Sequence, residues 1–113
     1  MRIITGKAAK ALNEMENFTL SNTRVKCDEG LAEMYLFDNL IARYDEENHI
    51  LQIFDGGYQS VTTKERLNGI LTHFNMPYYV KQKNYVWYLV GENETIEFES
   101  GVKFSLDSMS IIS

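Results

Sequence analysis

The stretch Gly56–Pro77, GGYQSVTTKERLNGILTHFNMP, constrains this chain more than any other part of it. It reads as a turn, a capped helix and a helix stop, and it divides the chain into two strand-rich blocks. Thr62-Thr63-Lys64-Glu65 matches a capping box, with Thr62 as N-cap and Glu65 reaching back to the Thr62 backbone N–H. Leu67, Ile70, Leu71 and Phe74 follow at i, i+3, i+4 and i+7, which is one apolar stripe on an α-helix. Lys64, Asn68 and Thr72 fall on the solvent side. Asn75 suits a left-handed residue just past the helix, and Pro77 blocks continuation.

On either side of this helix the periodicity is that of strands. Before it, a short stripe of Ala8, Leu12 and Met15 predicts an N-terminal helix over 6–16 with Thr5 as N-cap. From Thr23 the pattern alternates. TRVKC and LAEMYLF flank a Gly30 turn, LIARY follows Asp38-Asn39, and HILQIF follows Asp45–Asn48. That is a three- or four-stranded meander closed by Gly56-Gly57. After the helix, PYYVKQK and YVWYLV form one hairpin, while TIEFE and VKFSL read as a second pair around Ser100-Gly101. The tail DSMSIIS carries no pattern. Strands grouped around one helix, with short connections, predict a single α+β domain over 1–113. Its sheet is mostly antiparallel, with an N-terminal helix and one central amphipathic helix. The predicted core is Val25, Leu36, Ile41, Ile53, Leu67, Ile70, Leu71, Phe74, Val86 and Trp87.

Composition narrows the class. With 113 residues the chain can bury a core without staples, and the lone Cys27 cannot form an internal disulfide, which favours a reducing compartment. No apolar run approaches the roughly 18 residues of a membrane span, and the charged N-terminus has no signal-peptide core. The net charge of −5 is uneven along the chain. Residues 1–44 are neutral, 45–63 carry −4, 64–83 carry +3 and 84–113 carry −4. Such a balance disfavours non-specific nucleic-acid binding, with the basic 64–83 segment as the local exception.

SNTRV at 21–25, LFDNLIARY at 36–44 and GGYQSVTTKERLNGIL at 56–71 carry a resemblance. They resemble an Asn-Thr-x-Val strand, a Leu-x-x-Asn-x-Ile-Ala strand and a Thr-Thr-x-x-Arg-Leu-Asn helix start. This is the pattern of a group of small proteins encoded by bacteriophages and prophages. The group has His-Gly and Trp where this chain has Phe37-Asp38 and Tyr58. The resemblance implies a phage origin and action in the host bacterial cytoplasm, and it carries over no catalytic residue.

The residues themselves point away from catalysis. Cys27, His49 and His73 are the only nucleophile and base candidates, with no family signature around the cysteine and no metal-ligand spacing. No glycine-rich phosphate loop, metal or cofactor is expected. Two surfaces compete as binding sites. One is acidic: Glu92, Glu94, Glu97 and Glu99, with a second acidic tip at Asp45, Glu46 and Glu47. Glu97 and Glu99 are expected to project together from one strand, roughly 6.8 Å apart at about 3.4 Å of rise per residue. Carboxylates so spaced on a rigid sheet imitate a phosphate backbone. The other surface is basic and aromatic: Tyr79, Lys81, Lys83 and Tyr85, the ingredients of single-strand binding, with Tyr85 and Trp87 expected on one strand face. Lys64 and Arg66, near a helix N-terminus, are a third set that suits an anionic nucleotide. The leading expectation is a non-catalytic phage accessory protein. It would bind a host protein, such as a nuclease effector complex, in the manner of an anti-CRISPR inhibitor. A sponge for a nucleotide immune signal and a single-stranded nucleic-acid-binding module are the alternatives, and a homodimer is left open.

Overall fold

The computed structural model describes residues 2–112. Helix α1 (Ile3–Asn13) is followed by five strands, β1 (Phe18–Leu20), β2 (Thr23–Asp28), β3 (Leu31–Leu36), β4 (Asn39–Asp45) and β5 (Ile50–Ile53). Helix α2 (Val61–His73) leads to β6 (Tyr79–Lys83), β7 (Val86–Val90), β8 (Thr95–Glu97), β9 (Val102–Ser105) and β10 (Ser110–Ile112). A seven-stranded sheet has the order β1-β2-β3-β4-β5-β9-β10, and a three-stranded sheet has the order β6-β7-β8. Every pairing in both is antiparallel. The fold is α+β, as the sequence predicts.

Both helices and the small sheet cover one face of the large sheet. α1 lies over β1–β3, and α2 lies over β4 and against β6. Tyr78, at the start of the small sheet, stacks on Phe104 of β9 at 5.4 Å between ring centroids. One core cluster runs through all of these elements. Gly91 permits the close approach, since a Cβ there would meet Tyr78 Cε1 at 2.8 Å. Nine of the ten predicted core residues are buried; Val86 is half-buried, and Leu89 on the opposite face of β7 takes the core position. The strict alternation expected of strands fails once. In the β3–β4 pair Met34 faces Ala42 while Tyr35 faces Leu40, so Ile41 is an extra residue. This bulge turns Ile41 and Ala42 both inward.

Several expected boundaries move. α2 is capped by Ser60 rather than Thr62: the Ser60 Oγ accepts from the Thr63 N–H at 3.0 Å. Its C-terminus is a full Schellman motif, with Asn75 at φ 57°, Asn75 N–H on the Thr72 carbonyl and Met76 N–H on the Leu71 carbonyl. α1 begins at Ile3, so Thr5 is not its N-cap but a buried residue within its first turns. The meander has five strands, because β1 joins it. TIEFE and VKFSL do not pair. β8 joins β7 in the small sheet, whereas β9 enters the large sheet between β5 and β10. The tail is ordered as β10 against β9.

Arg66 explains the displaced caps. Its side chain is 2% exposed, inside the layer between α1, α2 and β2. Nη1 donates to Thr5 Oγ1 at 2.7 Å and to Glu65 Oε1 at 2.6 Å, and Nε donates to Thr23 Oγ1 at 3.1 Å. Thr5 Oγ1 also donates to Glu65 Oε1. Glu65 therefore does not close a capping box on its own helix. Its Oε2 instead accepts the Arg2 N–H at 3.4 Å, a carboxylate placed at the start of α1.

Three stability changes follow. Arg66→Ala should lower the urea unfolding free energy by about 3 kcal/mol, the low end for breaking a buried pair, because Glu65 keeps part of its carboxylate in water. Ser60→Ala should cost about 1 kcal/mol while Thr62→Ala is near neutral, and the reverse order would restore the capping box. Leu71→Ala should cost about 2–5 kcal/mol.

Candidate functional site

The small sheet turns Val80, Trp87 and Leu89 into the core. Its other face is open. Cross-strand register sets Lys81 opposite Tyr88 and Tyr88 opposite Glu97, in one row across three strands. The adjacent rows are Tyr79, Val90 and Thr95 on one side, and Lys83 and Val86 on the other. Lys81, Lys83, Asn84, Tyr88, Val90 and Thr95 line a shallow cleft of about 510 Å³ on this face. The acidic and the basic-aromatic candidates are thus not separate surfaces. Lys81 and Glu97 sit two strand spacings apart, roughly 10 Å, with Tyr88 between them.

Tyr85 is not in the strand. It forms, with Asn84, the two-residue turn between β6 and β7, at φ 68° and 52°. Both positions are left-handed, as a type I′ hairpin turn requires, and Gly is the usual residue at the second. Tyr85 is 93% exposed at that tip, while Trp87 faces the core and stacks edge-on against Phe98. The expected sharing of a face by Tyr85 and Trp87 is therefore corrected. The sequence signal for it was the alternation of YVWY, which the left-handed turn interrupts.

The acidic residues divide in the same way. Glu92 and Glu94 are exposed in the β7–β8 turn, where Glu94 Oε1 accepts the Tyr78 hydroxyl at 2.9 Å. β8 ends at Glu97, so the two-carboxylate strand does not form. Phe98 is buried, and Glu99 lies in the turn to β9 with its carbonyl accepting the Val102 N–H. Glu97 and Glu99 nevertheless line one groove, shared with Lys103, Ile96, Ile111 and Ile112. Asp45, Glu46 and Glu47 belong to the large sheet, at the β4–β5 turn. The Asp45 carboxylate accepts the Asn48 side chain at 2.8 Å and its backbone N–H at 3.1 Å, and these bonds hold it below the usual carboxylate range.

The remaining candidates do not converge. Lys64 lines an outer cleft with Val61, Asn68 and Thr72, whereas Arg66 is buried on the opposite side of α2, so the nucleotide pair Lys64–Arg66 is not assembled. Asn68 faces the small sheet rather than bulk solvent, its amide bonding both the N–H and the carbonyl of Val80. His49 Nδ1 lies 2.8 Å from Asp107 Oδ1 on the exposed rim, and His73 packs edge-on against Phe74. The Cys27 thiol is pushed up by burial and then by Glu16, which suppresses the thiolate. Among the described residues no three His, Cys, Asp or Glu side chains gather as a metal site.

A small α+β protein with a mixed-charge, tyrosine-rich open sheet face is the class these features define. A family model described as Kyanoviridae Gp96 protein matches residues 1–105, and the chain belongs to this family of phage proteins. No curated protein and no solved structure matches it. No helix among the described residues is long and apolar enough to cross a membrane.

The tip makes a direct prediction. A non-glycine residue in the left-handed region is strained by about 1 kcal/mol or more. Tyr85→Gly should therefore raise the urea midpoint, by about 1 kcal/mol of stability. A fall in the midpoint would mean that the ring supports the fold.

Proposed function

We propose that this protein is a non-catalytic phage accessory protein that binds a host protein in stoichiometric amounts and inhibits it. An anti-CRISPR-like block of a nuclease effector is the form that best fits the acidic groups. The observation that carries this reading is the row Lys81–Tyr88–Glu97, flanked by Tyr79 and the fully presented Tyr85. Tyrosines amid charges of both signs are the composition of protein-binding hot spots with a polar rim. Glu92, Glu94, Glu97 and Glu99 extend the face with carboxylates that would meet the Lys and Arg of a phosphate-binding channel. A single strand of nucleic acid laid along the same face would run its phosphates past Glu97. We therefore assign Tyr79, Lys81, Lys83 and Tyr85 to protein contact. Arg66 lends no support to the sponge for a nucleotide signal, since its guanidinium is spent on Thr5, Thr23 and Glu65.

The test is capture from a host lysate by tagged protein, followed by titration of the captured partner. Wild type should retain one protein at equimolar saturation, and rising salt should release it because exposed charge pairs are screened. Glu97→Lys with Glu99→Lys should abolish retention while the circular dichroism spectrum is unchanged. Retention indifferent to the reversal, or inhibition of the partner at substoichiometric protein, would sink the proposal.

A further inference from the structure

Among the described residues no helix or strand covers the second face of the seven-stranded sheet. Its outward residues run from Arg24 and Lys26 on β2, through Glu33, Tyr35, Leu40 and Arg43, to Gln52, Phe54 and Lys103, and none of them is buried. The register assembles one row across six strands: Lys26, Glu33, Arg43, Gln52, Lys103 and Ile112. Arg24 lies in the neighbouring row, opposite Tyr35. These two rows hold four cations, Arg24, Lys26, Arg43 and Lys103, and one acid, Glu33; Arg24 also pairs with Asp38 of the β3–β4 turn at 3.7 Å. The acids of the same face, Asp28 and Asp45, fall in the next row, at one end.

Two of the cations are planar groups already laid on rings. The Arg24 guanidinium carbon sits 4.8 Å from the Tyr35 ring centroid, and that of Arg43 sits 5.8 Å from the Phe54 centroid. Glu33 holds this arrangement, accepting from the Tyr35 hydroxyl at 3.0 Å and from Arg43 Nη2 at 2.9 Å. Each guanidinium keeps its outer side partly in solvent, with side-chain exposures of 47% for Arg24 and 38% for Arg43. A base can stack on such a plane, as it does on an aromatic ring, and the lysines at either end can take phosphates.

We propose that this open face binds single-stranded nucleic acid, with Arg24 and Arg43 as stacking planes and Lys26 and Lys103 as phosphate contacts. The Lys26 end of the site is clear of the small-sheet face, whereas Lys103 borders the groove that Glu97 and Glu99 line. Lys26 and Lys103 lie four strand spacings apart, roughly 19 Å.

The probe is a fluorescently labelled oligothymidylate of about 15 nucleotides, read by anisotropy with the full chain. With Arg43 tied to Glu33 and Arg24 to Asp38, the two lysines remain for phosphates. The dissociation constant should then rise roughly 7-fold between about 50 mM and about 200 mM salt. Lys26→Glu with Lys103→Glu should abolish binding without changing the circular dichroism spectrum, since both side chains are exposed. Single Lys26→Ala and Lys103→Ala variants should each reduce the salt slope by about one phosphate contact. Lys81→Ala with Lys83→Ala should bind as wild type does. No anisotropy change at about 50 mM salt, a salt-independent signal, equal binding of a duplex of the same length, or loss in the Lys81/Lys83 variant alone would each overturn the proposal.

Discussion

The buried guanidinium of Arg66 is the interaction on which the layout depends. Two helices and a strand meet where a purely apolar contact would leave several polar groups unpaired. Thr5 arrives from α1, Glu65 from α2 and Thr23 from β2, and each finds its partner in one side chain. Asn22 is drawn in as well, through Thr23 Oγ1 at 2.8 Å. A lysine could not replace this fork, since three of the bonds use the fixed geometry of Nε and Nη1. Because α1 is tied to α2 at this point, both helices lie on the same side of the large sheet. The opposite side is left open as a direct consequence.

This hub also accounts for the segments that carry the phage-protein resemblance. Asn22-Thr23 and Glu65-Arg66 come from two of them and meet in the hub, while Asn68 of the same helix start joins α2 to the small sheet through Val80. The recognisable pattern thus contains residues that fasten the elements together, alongside the partly exposed Arg24 and Arg43 of the open sheet face.

The helix stripe of α2, the hairpins around Gly30 and Asn84, and nine of ten core positions were legible from periodicity and turn residues. What was not legible has identifiable causes. Thr62 looked like an N-cap because Glu65 stood three residues on, but Glu65 had a stronger use at α1. β8 and β9 looked like a hairpin because a Gly turn joins them, yet the turn carries the chain from one sheet to another. β1 and β10 are three-residue strands, too short to show alternation. The site was half legible for the same kind of reason. Lys81, Lys83 and Glu97 were each read as exposed, but only the register reveals that they share a face with Tyr88. The cations of residues 1–44 were invisible as a group, because six basic and six acidic residues cancel along that segment. Alternation in β2–β4 sorts Arg24, Lys26 and Arg43 outward and leaves most of the acids in turns and loops.

That sorting gives the molecule two unlike faces. The large and small sheets turn their apolar sides toward a common core, and their outer edges meet at the groove lined by Glu97, Glu99 and Lys103. Packed sheets are separated by about 10 Å, and side chains on the two outer faces are farther apart still. At such distances energetic effects of substitution are expected to add rather than couple. A protein held on the tyrosine face would leave the Arg24 and Lys26 end of the cationic face free, while Lys103 shares a groove with Glu97 and Glu99 where the two faces meet. The two readings of function therefore use different surfaces except at this shared edge. A partner that itself carries nucleic acid could engage both faces at once, and the second contact would then be made at the high effective concentration that the first provides.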